Sequence, residues 1–373
     1  MKIWPIHPQP LPDELFLSWI MRAARANGQK LFTLCDITSK GTQILNRDID
    51  RSISKNTLKA FAEKLNTPYE QAYNTTLSSY EGLLCEKFNS KGVCKHILCA
   101  GIYHRTRTLY AQQFCPECLA EPIPYYRKFW RLIYATVCPH HNVRLYDRCP
   151  NCSQPIMFFR NELKEKNMPN IGSFTLCHEC EFDLSTAKRI QAKKTVINET
   201  KKYIQVLEDG YTSIPSHSWI YSFQFFEVLR QILKLIYYVK FSNYPKNNRT
   251  ELEFQTVDCR YSYICDAAGL MDSWPNEFIS FCKKHEILSS LAHKDFHNRP
   301  YWFDLAVNEN LLGVFEVAPN IESINNAINY LLSKGLEVSV RNLNKLMGYA
   351  DSKNIAKAVR KFKSDHFFSS TDY

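Results

Sequence analysis

Four short cysteine motifs decide the fold of the middle of this chain. They read CPEC at 115–118, CPHH at 138–141, CPNC at 149–152 and CHEC at 177–180. Two residues between ligands let both side chains of one tight turn reach the same metal ion, and two such turns complete a tetrahedron. Taken in chain order, the motifs predict two zinc sites. Their ligands are Cys115, Cys118, Cys138 and His141 in the first site, and Cys149, Cys152, Cys177 and Cys180 in the second.

Alternatives are open for one ligand and for the grouping. His140 is the alternative to His141, whereas His178 lies inside the last motif and is expected to be a bystander. The motifs could also interleave, although pairing in chain order closes two compact loops. Both sets hold four protein ligands, mostly thiolate, which is typical of structural zinc rather than of a catalytic zinc with an open position. We therefore expect two structural Zn²⁺ ions.

The composition is that of an ordinary globular protein. The chain has 373 residues, 45% of them hydrophobic and 23% charged, which is enough for two or three domains. Seven of the 14 cysteines fall within 115–180, and in a reducing compartment such clustering indicates metal ligation rather than disulfides. The sequence contains no apolar run of membrane-spanning length and no signal peptide near its start. These features predict a soluble cytoplasmic protein without a membrane partner.

The first 110 residues are predicted to be helical. Apolar residues at helical spacing indicate helices over 12–27, 56–65 and 69–77. Pro12 and Asp13 supply a favourable first turn for the first of them. The other two are short helices across a tight turn, which is the pattern of a DNA-reading helix-turn-helix or of a plain helical hairpin.

The chain after residue 188 is also predicted to be helical. Trp219–Phe241 is dense in large apolar residues and is expected to be a buried helix, followed by Asp258–Met271 and Asn276–His285. Three shorter helices come last, and two of them follow a serine that can cap the helix. They are Ile321–Leu332, Val340–Met347 after Ser339, and Lys353–Lys363 after Ser352.

The final helix is strongly basic on the face opposite its apolar stripe. Residues 334–363 carry 8 basic and 2 acidic residues, a balance of +6, against an excess of 10 for the whole chain. Two capped helices followed by a basic one is the pattern of a DNA-binding helix-turn-helix, with a merely solvated face as the alternative. The residues expected to contact nucleic acid or a partner are Lys353, Asn354, Lys357, Arg360 and Lys361.

Together these elements predict a mainly α protein with small zinc-ribbon-like β elements. An N-terminal helix-turn-helix-like domain is expected at 1–110, tandem zinc knuckles at 111–187 and a helical C-terminal domain at 188–373. The basic helix-turn-helix at 321–363 lies within the last of these domains.

The residues around the knuckles carry a family likeness. They read QFCPECL at 113–119, FWRL at 129–132, TVCPHH at 136–141 with Leu145, and CPNC at 149–152. The opening PDEL at 12–15 with Ser18, Trp19 and Arg22 belongs to the same pattern, as does Trp274-Pro275 with Phe278. In these motifs the chain resembles the TniQ/TnsD family of bacterial transposon target-selection proteins.

The resemblance implies a non-enzymatic adaptor that selects the target site for DNA transposition. Family members recognise target DNA or a CRISPR Cascade ribonucleoprotein, and they recruit the AAA+ ATPase (TnsC-like) that regulates the transposase. Some form dimers, so a homodimer is a further expectation. The resemblance also implies a bacterial protein associated with the nucleoid.

Two other classes of function are open. A zinc-containing transcriptional regulator without transposition partners requires the same basic helices but no ATPase contact. A nuclease or hydrolase requires a set of acids, for which the candidates are Asp48 with Asp50 and Asp258 with Asp266. These acids form no recognisable metal triad, and the chain has no Walker-type phosphate loop or nucleophile signature, so we expect no enzymatic activity.

Overall fold

Helices dominate the structure, and its strands are short. The computed structural model describes residues 3–39, 44–100, 109–161, 174–215, 217–241, 251–296, 298–311, 319–349 and 352–367. The predicted mainly α class is therefore confirmed. The chain packs into two compact units, Met1–Ser213 with Ser218–Ala268, and Ile214–His217 with Gly269–Tyr373. The division at 110 and 187 stays a prediction.

Five helices open the first unit. They are α1 (Phe16–Ala26), α2 (Leu31–Thr38), α3 (Ile49–Ser52), α4 (Lys55–Lys64) and α5 (Tyr69–Asn74). Phe16, Trp19 and Ile20 of α1 are fully buried, and the ring of Phe16 meets that of Phe61 edge-on at 5.5 Å. The DNA-reading role of α4 and α5 stays a prediction.

The first helix begins four residues later than predicted. Asp13 lies in the left-handed region with φ 56°, a conformation that a right-handed helix cannot contain, so α1 begins only after this residue. Glu14 is buried, and its carboxylate accepts hydrogen bonds from the Leu11 amide, the Ser18 hydroxyl and the Arg22 guanidinium. The acidic pair thus forms a turn that fixes the entry to α1, instead of forming its first turn.

The middle of the first unit contains the cysteine motifs and little regular structure. The short helix α6 (Pro116–Leu119) is followed by the antiparallel strands β1 (Val137–Cys138) and β2 (Val143–Arg144). The opening helices pack directly on this region, since the Leu15 amide donates to the Tyr126 carbonyl at 2.9 Å. A stack of aromatic rings lies below that contact, with Tyr126 and Phe158 at 4.0 Å between ring centroids.

The remainder of the first unit is a helical layer with a hairpin. It consists of α7 (Lys194–Asp209), β3 (Tyr211–Ile214), β4 (His217–Tyr221), α8 (Ser222–Phe241) and α9 (Val257–Ala267). The strand ends Ile214 and His217 are assigned to the second unit. The predicted buried helix Trp219–Phe241 is wrong at its start, because Trp219 lies in β4 and is 51% exposed. Its ring stacks on Tyr211 and contacts Tyr221. The predicted helix Asp258–Met271 likewise ends earlier, at Ala267.

The second unit is helical in its described part. Its helices are α10 (Asn276–Lys284), α11 (Ser289–Ala292), α12 (Tyr301–Asn310), α13 (Ile321–Ser333), α14 (Val340–Met347) and α15 (Lys353–Phe367). The last three share a core that includes Ile324, Leu343 and Ile355. Both predicted serine caps are present: the Ser339 hydroxyl accepts from the Asn342 amide at 3.2 Å, and that of Ser352 from the Ile355 amide at 3.4 Å.

Among the residues that the structure describes, no helix is long and apolar enough to cross a bilayer.

Buried charges join the opening helices to the cysteine region. The guanidinium of Arg131 donates to Asp48 Oδ2 at 2.5 Å and to Asp50 Oδ2 at 3.3 Å, and all three side chains are largely buried. Burial raises the pKa of Asp50 to about 7. Asp48 and Asp50, one of the acid pairs considered for catalysis, are therefore engaged in a buried ion-pair network with Arg131.

Replacing Arg131 with alanine is expected to destabilise the first unit strongly. Removal of the guanidinium leaves two buried carboxylates without their cation, a loss of about 3–5 kcal/mol. The measurement is chemical denaturation followed by circular dichroism. Lys59→Ala is the control, because Lys59 and its partner Glu63 are exposed and 3.9 Å apart, and such pairs contribute less than about 1 kcal/mol. Equal losses in the two variants would contradict this assignment.

Candidate metal centres

The first centre is assembled by α6 and the β1–β2 turn. Cys115 is the N-cap residue of α6, and Cys118 lies within this helix. Pro116 occupies the first helical position, for which the fixed φ of proline is favourable. Cys138 ends β1, and His141 lies in the turn to β2. The Asn142 amide donates to the Cys138 carbonyl at 2.8 Å, which closes this turn.

The distances in this group fit a tetrahedral ion. His141 Nδ1 lies 3.6, 3.3 and 3.6 Å from the sulfurs of Cys115, Cys118 and Cys138, and the last two sulfurs are 3.6 Å apart. Metal–sulfur bonds of about 2.3 Å in a tetrahedron separate the sulfurs by about 3.8 Å. His140 is exposed and outside the group, so the structure places His141 at the fourth corner.

One carboxylate beside this group was missed by sequence reasoning. Glu121 Oε1 lies 3.5 Å from His141 Nε2, the ring nitrogen that points away from the sulfurs. A carboxylate at that nitrogen fixes the ring orientation and makes the other nitrogen a better ligand. The only signal in the sequence was an acidic residue three positions after Cys118, which is too common to single out.

The second centre brings together four cysteines from two similar turns. Cys149 Sγ lies 3.6 Å from Cys180 Sγ, and Cys152 Sγ lies 3.6 Å from Cys177 Sγ. All four sulfurs lie within 4.8 Å of one another. His178 is not part of the group, and the structure places the ligands of each centre in chain order rather than interleaved.

Three of the four knuckles close in the same way. The residue after the second ligand lies in the left-handed region, with φ between 58° and 60° at Asn142, Ser153 and Glu181. Its amide donates to the carbonyl of the first ligand, at 2.8 Å to Cys138 and at 2.9 Å to both Cys149 and Cys177. None of these three residues is glycine, so the turn accepts backbone strain that the ligand geometry demands.

Hydrogen bonds between the thiols separate their acidities. Bonds with Cys118 and Cys138 raise the pKa of Cys115, whereas bonds with Cys115 and Cys118 lower the pKa of Cys138. In the second group, burial opposes ionisation of Cys180, but hydrogen bonds led by that of Asn151 lower its pKa to about 6. Each group thus contains one thiol, Cys138 or Cys180, whose pKa lies below the ordinary value of cysteine.

The residues predicted to contact nucleic acid lie on one face of α15. Ile355 and Val359 are buried in the core of the last three helices. All five predicted contact residues are exposed, and Asn354 also donates to the Pro319 carbonyl at 3.4 Å. They are Lys353, Asn354, Lys357, Arg360 and Lys361.

The other acids considered for a nuclease are held in ion pairs. Asp258 pairs with Arg144, and Asp266 lies 2.5 Å from Lys240. Within the part of the chain that the structure describes, the two cysteine groups are the only clusters with the donors and proximity for a metal ion.

The sequence around the first centre matches a known protein family. The TniQ family model matches residues 5–145. Over these residues the chain is similar to the TniQ family. The match covers the opening helices and the first metal centre, and it ends just before Cys149. No curated protein sequence matches the chain. A TniQ domain implies a role in target selection during transposition.

Cys149→Ser is expected to be far more damaging than Cys265→Ser. Cys149 is one of four converging sulfurs, whereas Cys265 belongs to neither cluster. Metal binding at a closed site contributes folding free energy, so loss of one ligand lowers both metal content and melting temperature. Elemental analysis should find two metal ions per wild-type chain and one per Cys149→Ser chain, with two in the control. Full metal content in both variants would exclude the second centre.

Proposed function

We propose that this protein is a non-enzymatic adaptor that selects the target site for DNA transposition. The observation that carries the proposal is the TniQ match over residues 5–145. In this role the chain recognises target DNA, or a Cascade ribonucleoprotein held on it, and recruits the AAA+ ATPase that regulates the transposase. Holding both on one chain raises the local concentration of one near the other, without chemistry by the adaptor.

Both metal ions are structural zinc in this proposal. Sulfur-rich tetrahedral sets suit zinc, and each set already supplies four protein ligands, which leaves no open position for a substrate. When bound, the ions cross-link segments that have little regular structure of their own. Their role is to give the cysteine-rich part of the first unit a rigid surface for its partners.

The exposed face of α15 is proposed to contact nucleic acid. Its side chains Lys353, Lys357 and Arg360 recur at intervals of four and three residues, which aligns them along one side of a helix. The buried residues Ile355 and Val359 fix the opposite side in the core. A row of cations held this way follows a phosphate backbone well. The adaptor acts in the cytoplasm at the nucleoid, and a homodimer is compatible with this role.

The proposal is tested by mapping insertions in cells that carry the transposon with this gene intact, deleted or restored on a plasmid. We expect insertions at the selected target to disappear on deletion and to return with the plasmid copy, while the transposase remains expressed. The purified ATPase should bind the protein in a pull-down. An unchanged distribution of insertions, together with altered transcription of host genes, would favour the transcriptional regulator instead.

Replacing Lys353, Lys357 and Arg360 with alanine is expected to weaken DNA binding and to flatten its salt dependence. Each lost phosphate contact reduces the slope of log affinity against log salt by about 0.9. Fluorescence anisotropy with labelled duplex DNA measures that slope.

The matched control removes three exposed lysines elsewhere in the second unit, as K283A/K284A/K294A. It carries the same change of net charge and is expected to keep the wild-type slope. If the α15 variant also keeps that slope, its basic face is merely solvated. Circular dichroism checks that both variants fold, since all six side chains are exposed.

A further inference from the structure

A second basic surface lies beside the first metal centre, in the segment 188–194. Its basic residues are Lys188, Arg189, Lys193 and Lys194, and no acidic residue occurs between Asp183 and Glu199. All four basic side chains are exposed. We call residues 188–194 the basic strip.

The backbone of the basic strip is fixed against the metal-binding hairpin. The Arg144 amide donates to the Ile190 carbonyl at 2.8 Å, and the Ala192 amide donates to the Asn142 carbonyl at 3.0 Å. These bonds place Gln191 antiparallel to Val143 of β2. The strip therefore continues the small sheet whose turn holds His141.

Tyrosine hydroxyls hold both ends of the strip. The Tyr146 hydroxyl donates to the Lys188 carbonyl at 2.5 Å, and the Lys193 amide donates to the Tyr261 hydroxyl at 2.9 Å. A backbone held at its middle and at both ends loses little conformational freedom when its side chains meet a ligand. The cations are thus presented on a rigid support rather than on a flexible linker.

Most of the charge on the strip is available to a ligand. Arg189 pairs with Glu117 at 2.7 Å, but Lys188, Lys193 and Lys194 form no ion pair with any residue that the structure describes. The N-terminus of α7 begins at Lys194 and has no acidic residue in its first turn, so its partial positive charge adds to that of the lysines. The surface therefore attracts an anion, and a polyanion most strongly.

We propose that the basic strip binds the phosphate backbone of duplex DNA, as a contact separate from the face of α15. The strip contains no aromatic residue on which unpaired bases could stack, so its chemistry suits phosphates rather than single-stranded bases. Lysine ammonium groups contact phosphates as point charges and carry no sequence information. The contact is consequently independent of DNA sequence and sensitive to salt.

The proposal does not rest on transposition or on the role of α15. It assigns to the metal-binding part of the chain a task of its own, which is to hold DNA while another surface reads the target. Cys138 and His141 would hold a metal ion at the turn from which β2 and the strip are aligned, so a bound ion would support the strip indirectly.

The test compares full-length K188A/K193A/K194A with the wild type and with the control K283A/K284A/K294A, using anisotropy with a labelled duplex of random sequence. We expect the salt slope of the strip variant to fall by about 0.9 for each lysine and that of the control to stay unchanged. The single variant K194A should show one such step. Metal content and the circular dichroism spectrum should match the wild type, since the three side chains are exposed.

An unchanged salt slope in the folded strip variant overturns the proposal. If that variant has also lost binding to polyglutamate, the ligand of the strip is an acidic protein surface. The α15 variant is measured in parallel. If its salt slope equals that of the wild type while the slope of the strip variant is reduced, only the α15 contact is excluded.

Discussion

One type of backbone hydrogen bond shapes the cysteine-rich part of the first unit. It runs from the residue after the second ligand to the carbonyl of the first, and it recurs after His141, Cys152 and Cys180. The bond forces its donor residue into a left-handed conformation and turns two ligand side chains toward one point. In the first centre the same turn also joins β1 to β2, so the ligands and the small sheet are fixed together.

This constraint connects the metal centres to the rest of the first unit. Arg131 lies a few residues before β1 and holds Asp48 and Asp50 from the opening helices. On the other side of the sheet, the basic strip is aligned by its bonds to the β2 region. The opening helices, the two cysteine groups and the basic strip are therefore packed together in the first unit. A substitution of a candidate ligand should disturb both the Arg131 ion pairs and the alignment of the basic strip.

Local features of this fold could be predicted from the sequence, whereas long-range ones could not. Two-residue spacing grouped the eight candidate ligands as the structure does, and serine caps located α14 and α15, because each signal spans only a few residues. That these residues bind metal stays a prediction. The start of α1 was missed because Glu14 is engaged by Ser18 and Arg22 in the folded chain. Likewise, no local sequence signal in residues 188–194 predicts their pairing with β2, because that pairing is set by tertiary contacts.

The exposure of Trp219 in the β3–β4 hairpin has a consequence for the fluorescence of the protein. Trp19, Trp130, Trp274 and Trp302 are buried, whereas the ring of Trp219 is about half open to solvent. A small collisional quencher such as acrylamide therefore reaches Trp219 far more readily than those four. Trp4 is partly exposed, so the quenchable fraction of the fluorescence reports on Trp219 in the β3–β4 hairpin together with Trp4. In a Trp4→Phe variant that fraction comes from the hairpin without an added label.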